Sequence, residues 1–145
     1  MTVRTWLTIS VICVIALFAA VILKLTAPVN APTMLARVGE IRLQGQRDSS
    51  CWPVGMKTKC AGRTAATPAV SVPGKGTLRV IVAYPLQPKA SQGTIEVRQG
   101  ETVIIKRDWH ENTNYDLAPG SYELVAYAAY RNNAHIRYTF PFRAR

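Results

Sequence analysis

Acidic side chains are scarce in this sequence: 8 Asp and Glu stand against 18 Lys and Arg in 145 residues, a formal charge of +10 at pH 7. Charged residues of both signs make up only 18%, while hydrophobic residues reach 48%. A disordered chain has the reverse balance, so one folded domain is expected. Histidine is limited to His110 and His135, and cysteine to Cys13, Cys51 and Cys60. Two sulfurs with no histidine at ligand spacing do not make a zinc site, and no metal or other cofactor is expected. No P-loop, GxSxG elbow, HExxH helix or dinucleotide fingerprint occurs, so no enzymatic activity is assigned. Internal repeats and low-complexity tracts are absent as well.

The hydrophobic excess is concentrated at one end. Trp6 to Leu23 reads WLTISVICVIALFAAVIL, 18 residues with no charge, proline or glycine, between Arg4 and Lys24. As a helix this run is roughly 27 Å long, enough to cross the hydrocarbon core of a bilayer. It lacks the polar face of a buried core helix. A cleaved signal peptide is the competing expectation, with Val29-Asn30-Ala31 imitating a small-x-small site. Pro32 after Ala31 and Pro28 after Ala27 would hinder a peptidase, so residues 1–25 are read as an uncleaved anchor. Cys13 follows Ile12, where a lipobox needs a small residue, and is read as a buried membrane thiol. Arg4 is a weak inside signal opposed by Lys24. Orientation rests instead on the cysteine pair of the remaining chain, which places the amino terminus in the cytoplasm and residues 34–145 outside. Residues 26–33 (TAPVNAPT) form a short Pro-containing linker.

Cys51 and Cys60 enclose WPVGMKTK, with Pro53 and Gly55 suited to a turn. In an oxidising compartment this pair is most simply a disulfide that constrains a surface loop. A redox pair would normally be more closely spaced, as CxxC.

From residue 34 onward, short β-branched and aromatic runs alternate with turn formers. Leu78, Val80, Val82 and Tyr84 share one face, with Thr77 and Arg79 opposite. Ile95 and Val97 alternate in the same way. Gln99-Gly100 turns the chain into 102–107 (TVIIKR). Tyr122, Leu124 and Ala126 alternate with Glu123 and Val125. Arg131-Asn132-Asn133 is a tight turn, since Asn tolerates positive φ. The chain then returns through Ile136, Tyr138, Phe140 and Phe142, with Pro141 marking an edge strand or a strand end. Residues 34–43 and 68–72 offer less regular strands. About seven strands with one-sided alternation predict an all-β, small antiparallel β-sandwich.

Leu117-Ala118-Pro119-Gly120-Ser121-Tyr122-Glu123-Leu124-Val125-Ala126 resembles the L-x-P-G-x-Y-x-L-x-V/A segment of immunoglobulin-like and fibronectin-like sandwiches. In those families the tyrosine forms a corner where the chain passes between sheets, and its hydroxyl bonds back to the preceding loop. The resemblance implies that role for Tyr122 and an immunoglobulin-like fold, and it carries no function. Ser50-Cys51-Trp52-Pro53 with Cys60 looks like an S-x-C-W…C loop of uncharacterised exported bacterial proteins, which implies an envelope location.

The only cluster suited to acid–base or metal chemistry is Asp108, His110, Glu111 and Asp116, in what reads as a solvated polar loop. Charge points further. Beyond Lys24 the chain keeps 16 basic and 8 acidic residues, a net +8. Lys57, Lys59, Arg79, Arg98, Lys106, Arg107, Arg137 and Arg143 are the expected basic surface. Anionic lipid headgroups, an envelope polymer or an acidic protein would be drawn to it; an exported domain is not expected to meet nucleic acid. Together these features predict a non-enzymatic, single-pass interaction module of the bacterial cytoplasmic membrane. Its partners are expected to be membrane lipid and a protein in or at the membrane. It would serve as an accessory subunit whose helix offers Ser10, Ala16, Ala19 and Ala20 for close packing. The alternative is a carbohydrate or small-ligand binding domain in which Trp52, Trp109 and Tyr115 stack on sugar rings.

Overall fold

The computed structural model describes residues 3–26, 31–54, 56–83, 90–108 and 112–145. One helix precedes a β domain. Helix α1 runs Val3–Thr26, and its described side chains, residues 9–21, are all exposed. Those thirteen residues cover about 20 Å of helix axis. Among the described residues no helix is long and apolar enough to cross a membrane, so the single-pass span expected from Trp6 to Leu23 is not found among them.

Eleven strands follow among the described residues: β1 Thr33–Val38, β2 Ile41–Leu43, β3 Gln46–Val54, β4 Lys57–Ala61, β5 Val70–Val72, β6 Lys75–Ala83, β7 Gln92–Gln99, β8 Thr102–Asp108, β9 Thr113–Asp116, β10 Gly120–Ala129 and β11 His135–Ala144. They form a four-stranded sheet, β2-β1-β6-β9, and a seven-stranded sheet, β4-β3-β11-β10-β7-β8, in which β5 also pairs with β11. All pairings are antiparallel except β5 with β11. The expected two-layer β-sandwich architecture is therefore present.

Period-2 alternation drives the stacking. Met34, Ala36 and Val38 of β1 and Leu78 of β6 are buried from one layer. Ile95 and Val97 of β7, with Leu124, Ala126 and Ala128 of β10, are buried from the other. Registered pairs alternate in size: Leu124 lies opposite Phe140, Ala126 opposite Tyr138 and Ala128 opposite Ile136. The small alanines leave room for the large neighbours, as close packing requires. Gly100 (φ 58°) and Asn133 (φ 59°) both hold the left-handed conformation at the turns expected there.

Three expectations are corrected. Residues 34–43 are two strands, because a turn at Gly39-Glu40 folds β2 back on β1, pairing Val38 with Ile41. The Cys51–Cys60 segment is a hairpin, β3–β4, with Cys51 directly opposite Cys60. Pro53 is tolerated in β3 because the pairing with β11 ends at Cys51, leaving the strand one neighbour beyond it. Finally, β11 is interior to its sheet. Pro141 falls between residues 135–139, which pair with β3, and residues 142–144, which pair with β5. The missing N–H sits where the neighbouring strand changes.

The two ends of the sandwich can be told apart. At one end Gly74 N–H donates to Arg145 O (3.0 Å) and Leu117 N–H donates to Gly74 O (2.7 Å). The start of β6, the start of the 117–120 connection and the end of β11 therefore lie together. Thr33, where the chain enters from α1, pairs with Ala83 at the opposite end of β6. That entry end also carries the start of β11.

Candidate interaction surfaces

The seven-stranded sheet turns one face to the core and one outward. On the outward face a row runs through Thr139, Val125, Glu96 and Lys106, on β11, β10, β7 and β8. Val125 and Thr139 are only 6% and 4% exposed although they face away from the core. Charged side chains cover them. Asp48 is the extra residue where the β3–β11 register shifts. The Thr139 hydroxyl donates to Asp48, which also faces Arg63 Nε at 3.2 Å and Arg137 Nε at 3.7 Å. At the other end of the row, Glu96 accepts from Arg98 and lies 3.1 Å from Lys106 Nζ. The hydrogen bond from Arg98 holds the Glu96 carboxyl below its ordinary pKa, against the opposing effect of burial and with help from Lys106.

These pairings divide the expected basic surface. Arg98, Lys106 and Arg137 face carboxylates and form part of an internally neutralised layer. Lys57, Lys59, Arg79, Arg107 and Arg143 are exposed and make no ion pair among the described residues. Lys57 and Lys59 lie on β4 of the disulfide hairpin, beside the fully exposed Met56. The bridge itself, Cys51–Cys60, is present as expected. Arg107 donates to the Lys106 carbonyl (3.1 Å).

Two of the three aromatics expected to stack on sugar rings, Trp52 and Tyr115, are buried. Trp52 is 4% exposed and packs edge-on against Tyr130, with ring centroids 4.9 Å apart. Tyr115 is 6% exposed and its hydroxyl donates to Pro73 O at 3.4 Å. Burial pushes its pKa up to about 12. Both rings are core residues, removed from any sugar, because each sits at an inward position of its strand. Trp109 and His110 lie outside the described residues. Asp108 ends β8 in one sheet, whereas Asp116 ends β9 in the other and faces Lys75 at 3.4 Å. Among the described residues no cluster of His, Cys, Asp or Glu is arranged to hold a metal ion.

The four-stranded sheet presents a different outward face. Arg42 lies opposite Arg37, and Arg37 opposite Arg79, so three arginines stand side by side across β2, β1 and β6. All three are exposed, and none pairs with a carboxylate among the described residues. Arg79 donates from Nε to the Asn112 side chain (3.3 Å). Next along β1 and β6, half-buried Leu35 lies opposite Ile81, which is 41% exposed. A groove of about 520 Å³ opens beside Arg42 and Leu35 and is lined also by Tyr138. Reading the sequence alone missed Arg37 and Arg42. The turn at Gly39-Glu40 was the available signal, since folding there brings the two arginines into register.

No family model, curated protein or solved structure matches this chain. Its function must be argued from the surfaces themselves.

Proposed function

We propose that this chain is a non-enzymatic, membrane-anchored interaction module: α1 lies in the cytoplasmic membrane of a bacterium and the β domain is displayed on its outer side. The carrying observation is the apolar surface of α1. Ile9, Val11, Ile12, Val14, Ile15, Leu17, Phe18 and Val21 are each 45–69% exposed. At about 25 cal/mol per Å² of apolar surface, such a helix is costly in water and stable in lipid. The uncharged run from Trp6 to Leu23 has the length a bilayer core requires.

Two further observations support the outer location and the type of domain. A disulfide persists in an oxidising compartment, which favours export. The strand orders β1-β6-β9 and β11-β10-β7-β8 correspond to A-B-E and G-F-C-C′ of an immunoglobulin-like sandwich. Tyr122 stands at the start of β10, after the chain has left β9 in the other sheet. Its hydroxyl donates to Ala118 O at 2.9 Å, as a tyrosine corner does. Such sandwiches most often bind through faces, loops or edges, and a single-pass anchor suits an accessory subunit of a larger membrane complex. On α1, Ala16 and Ala20 share one face and permit close approach of a second helix.

The test uses the full chain in its native membrane. The protein should resist alkaline extraction, and an impermeant amine reagent applied to spheroplasts should label Lys57 and Lys59. Release by alkali, or labelling only after lysis, would overturn the anchor or its orientation respectively. Co-purification of a membrane partner in mild detergent should be lost when Ala16 and Ala20 are replaced by Leu.

A further inference from the structure

Like charges placed directly opposite one another on adjacent strands repel. The Arg42–Arg37–Arg79 row keeps three such charges in consecutive register on β2, β1 and β6. The carboxylates that quench the other sheet, Asp48 and Glu96, have no equivalent here among the described residues. Asp116, on β9 of the same sheet, is engaged with Lys75 at 3.4 Å, and Glu40 in the β1–β2 turn makes no ion pair among the described residues. Cross-strand neighbours lie about 5 Å apart, a spacing at which adjacent guanidinium forks can share one phosphate or hold successive ones.

We propose that this arginine row, with Leu35 and Ile81 beside it, is a docking face for the phosphate groups of anionic lipids in the membrane that holds α1. The inference rests on the anchored reading above, and three features favour lipid over a soluble polyanion. First, only residues 27–32 separate the end of α1 at Thr26 from β1 at Thr33, a reach of at most roughly 25 Å. The face is therefore kept at the membrane surface at high effective concentration. Second, Arg37 lies only about 13 Å along β1 from the entry point. Third, an amphipathic strip suits a headgroup layer: Leu35 and Ile81 sit on the entry side of the arginines, nearer the helix attachment, where acyl chains begin. A soluble acidic polymer would give these apolar side chains no partner.

The deciding experiment places the full chain in lipid nanodiscs carrying a small fraction of gadolinium-chelating lipid and reads amide NMR line broadening. One set of discs contains phosphatidylcholine alone, and the other includes phosphatidylglycerol. In the anionic discs, amides of residues 35–37, 41–42 and 79–81 should broaden selectively over those of the Gln99-Gly100 turn, and the effect should vanish with added salt. Arg37→Glu with Arg79→Glu should abolish it while leaving the dispersion of the remaining spectrum intact. Lys57→Glu with Lys59→Glu should leave it unchanged. Equal broadening in both kinds of disc, broadening centred on residues 56–59, or persistence in the arginine variant would overturn the proposal. So would polyglutamate shifting these amides in neutral discs while phosphatidylglycerol leaves them unmoved, which would assign the row to a soluble polyanion. A chain that elutes apart from the discs would remove the anchored reading and this inference with it; a chain that incorporates without selective broadening removes the inference alone.

Discussion

At the scale of single residues, Tyr122 ties β10 both to β11 and to the connection that leads into it from β9. Its ring is buried, stacks on Phe142 with centroids 5.7 Å apart, and reaches Ala118 O with its hydroxyl. The ring supplies apolar contact, and the hydroxyl satisfies a carbonyl in the connection that carries the chain from β9 to β10. These roles can be separated. Tyr122→Phe keeps the ring and strands the carbonyl, so a loss of about 1 kcal/mol is expected in urea denaturation followed in mild detergent. Tyr122→Ala should cost about 3–5 kcal/mol, the usual range for a buried aromatic. If Tyr122→Phe proved as damaging as Tyr122→Ala, the hydroxyl and not the ring would be the principal element. The residue was legible in the sequence because Pro119-Gly120-Ser121-Tyr122 is a local pattern. By contrast, Trp52 gives no local sign of its burial. Its partner Tyr130 lies far along the chain, between β10 and β11.

At the scale of paired elements, β7 and β8 are joined on their outward face by Glu96, which Arg98 approaches along the strand and Lys106 approaches across it. The folded-state pKa of Glu96 is lowered from its ordinary 4.5. Its contribution to stability is therefore fully present above that ordinary value and is lost as pH falls through the lower, folded one. Thermal stability should decline as the solution is acidified below about pH 4.5, and Glu96→Gln should flatten that part of the curve. A pH profile identical in the two proteins would show that the ion group contributes nothing. Ion pairs open to solvent on one side contribute little each, so the slope and not the neutral-pH stability is the informative quantity. The sequence displayed the alternation of these strands clearly. It did not display which cations would be neutralised, because that depends on the order β3-β11-β10-β7-β8, and β3 is brought beside β11 by a pairing across some ninety residues.

At the scale of the whole molecule, the layers converge at Gly74. A methyl group there would lie 2.7 Å from Leu117 O and 2.9 Å from Arg145 O, both backbone atoms with little freedom to retreat. Gly74→Ala should therefore destabilise the domain by about 1–3 kcal/mol or more, measured as a lower urea midpoint. Gly62→Ala, where nothing lies within 4 Å, should change it little. The overall two-sheet class followed from period-2 patterning, which is a local property. Two additions did not: β2 and the β3–β4 hairpin are short or irregular in pattern and exist because they border β1 or β11. That dependence has a kinetic corollary. Strands β3 and β5 join the seven-stranded sheet through β11, the last of the eleven described strands to leave a ribosome. Closure of the seven-stranded layer must await that segment, so the earlier hairpins wait with open edges, and the domain should be a slow folder whose refolding yield falls as protein concentration rises.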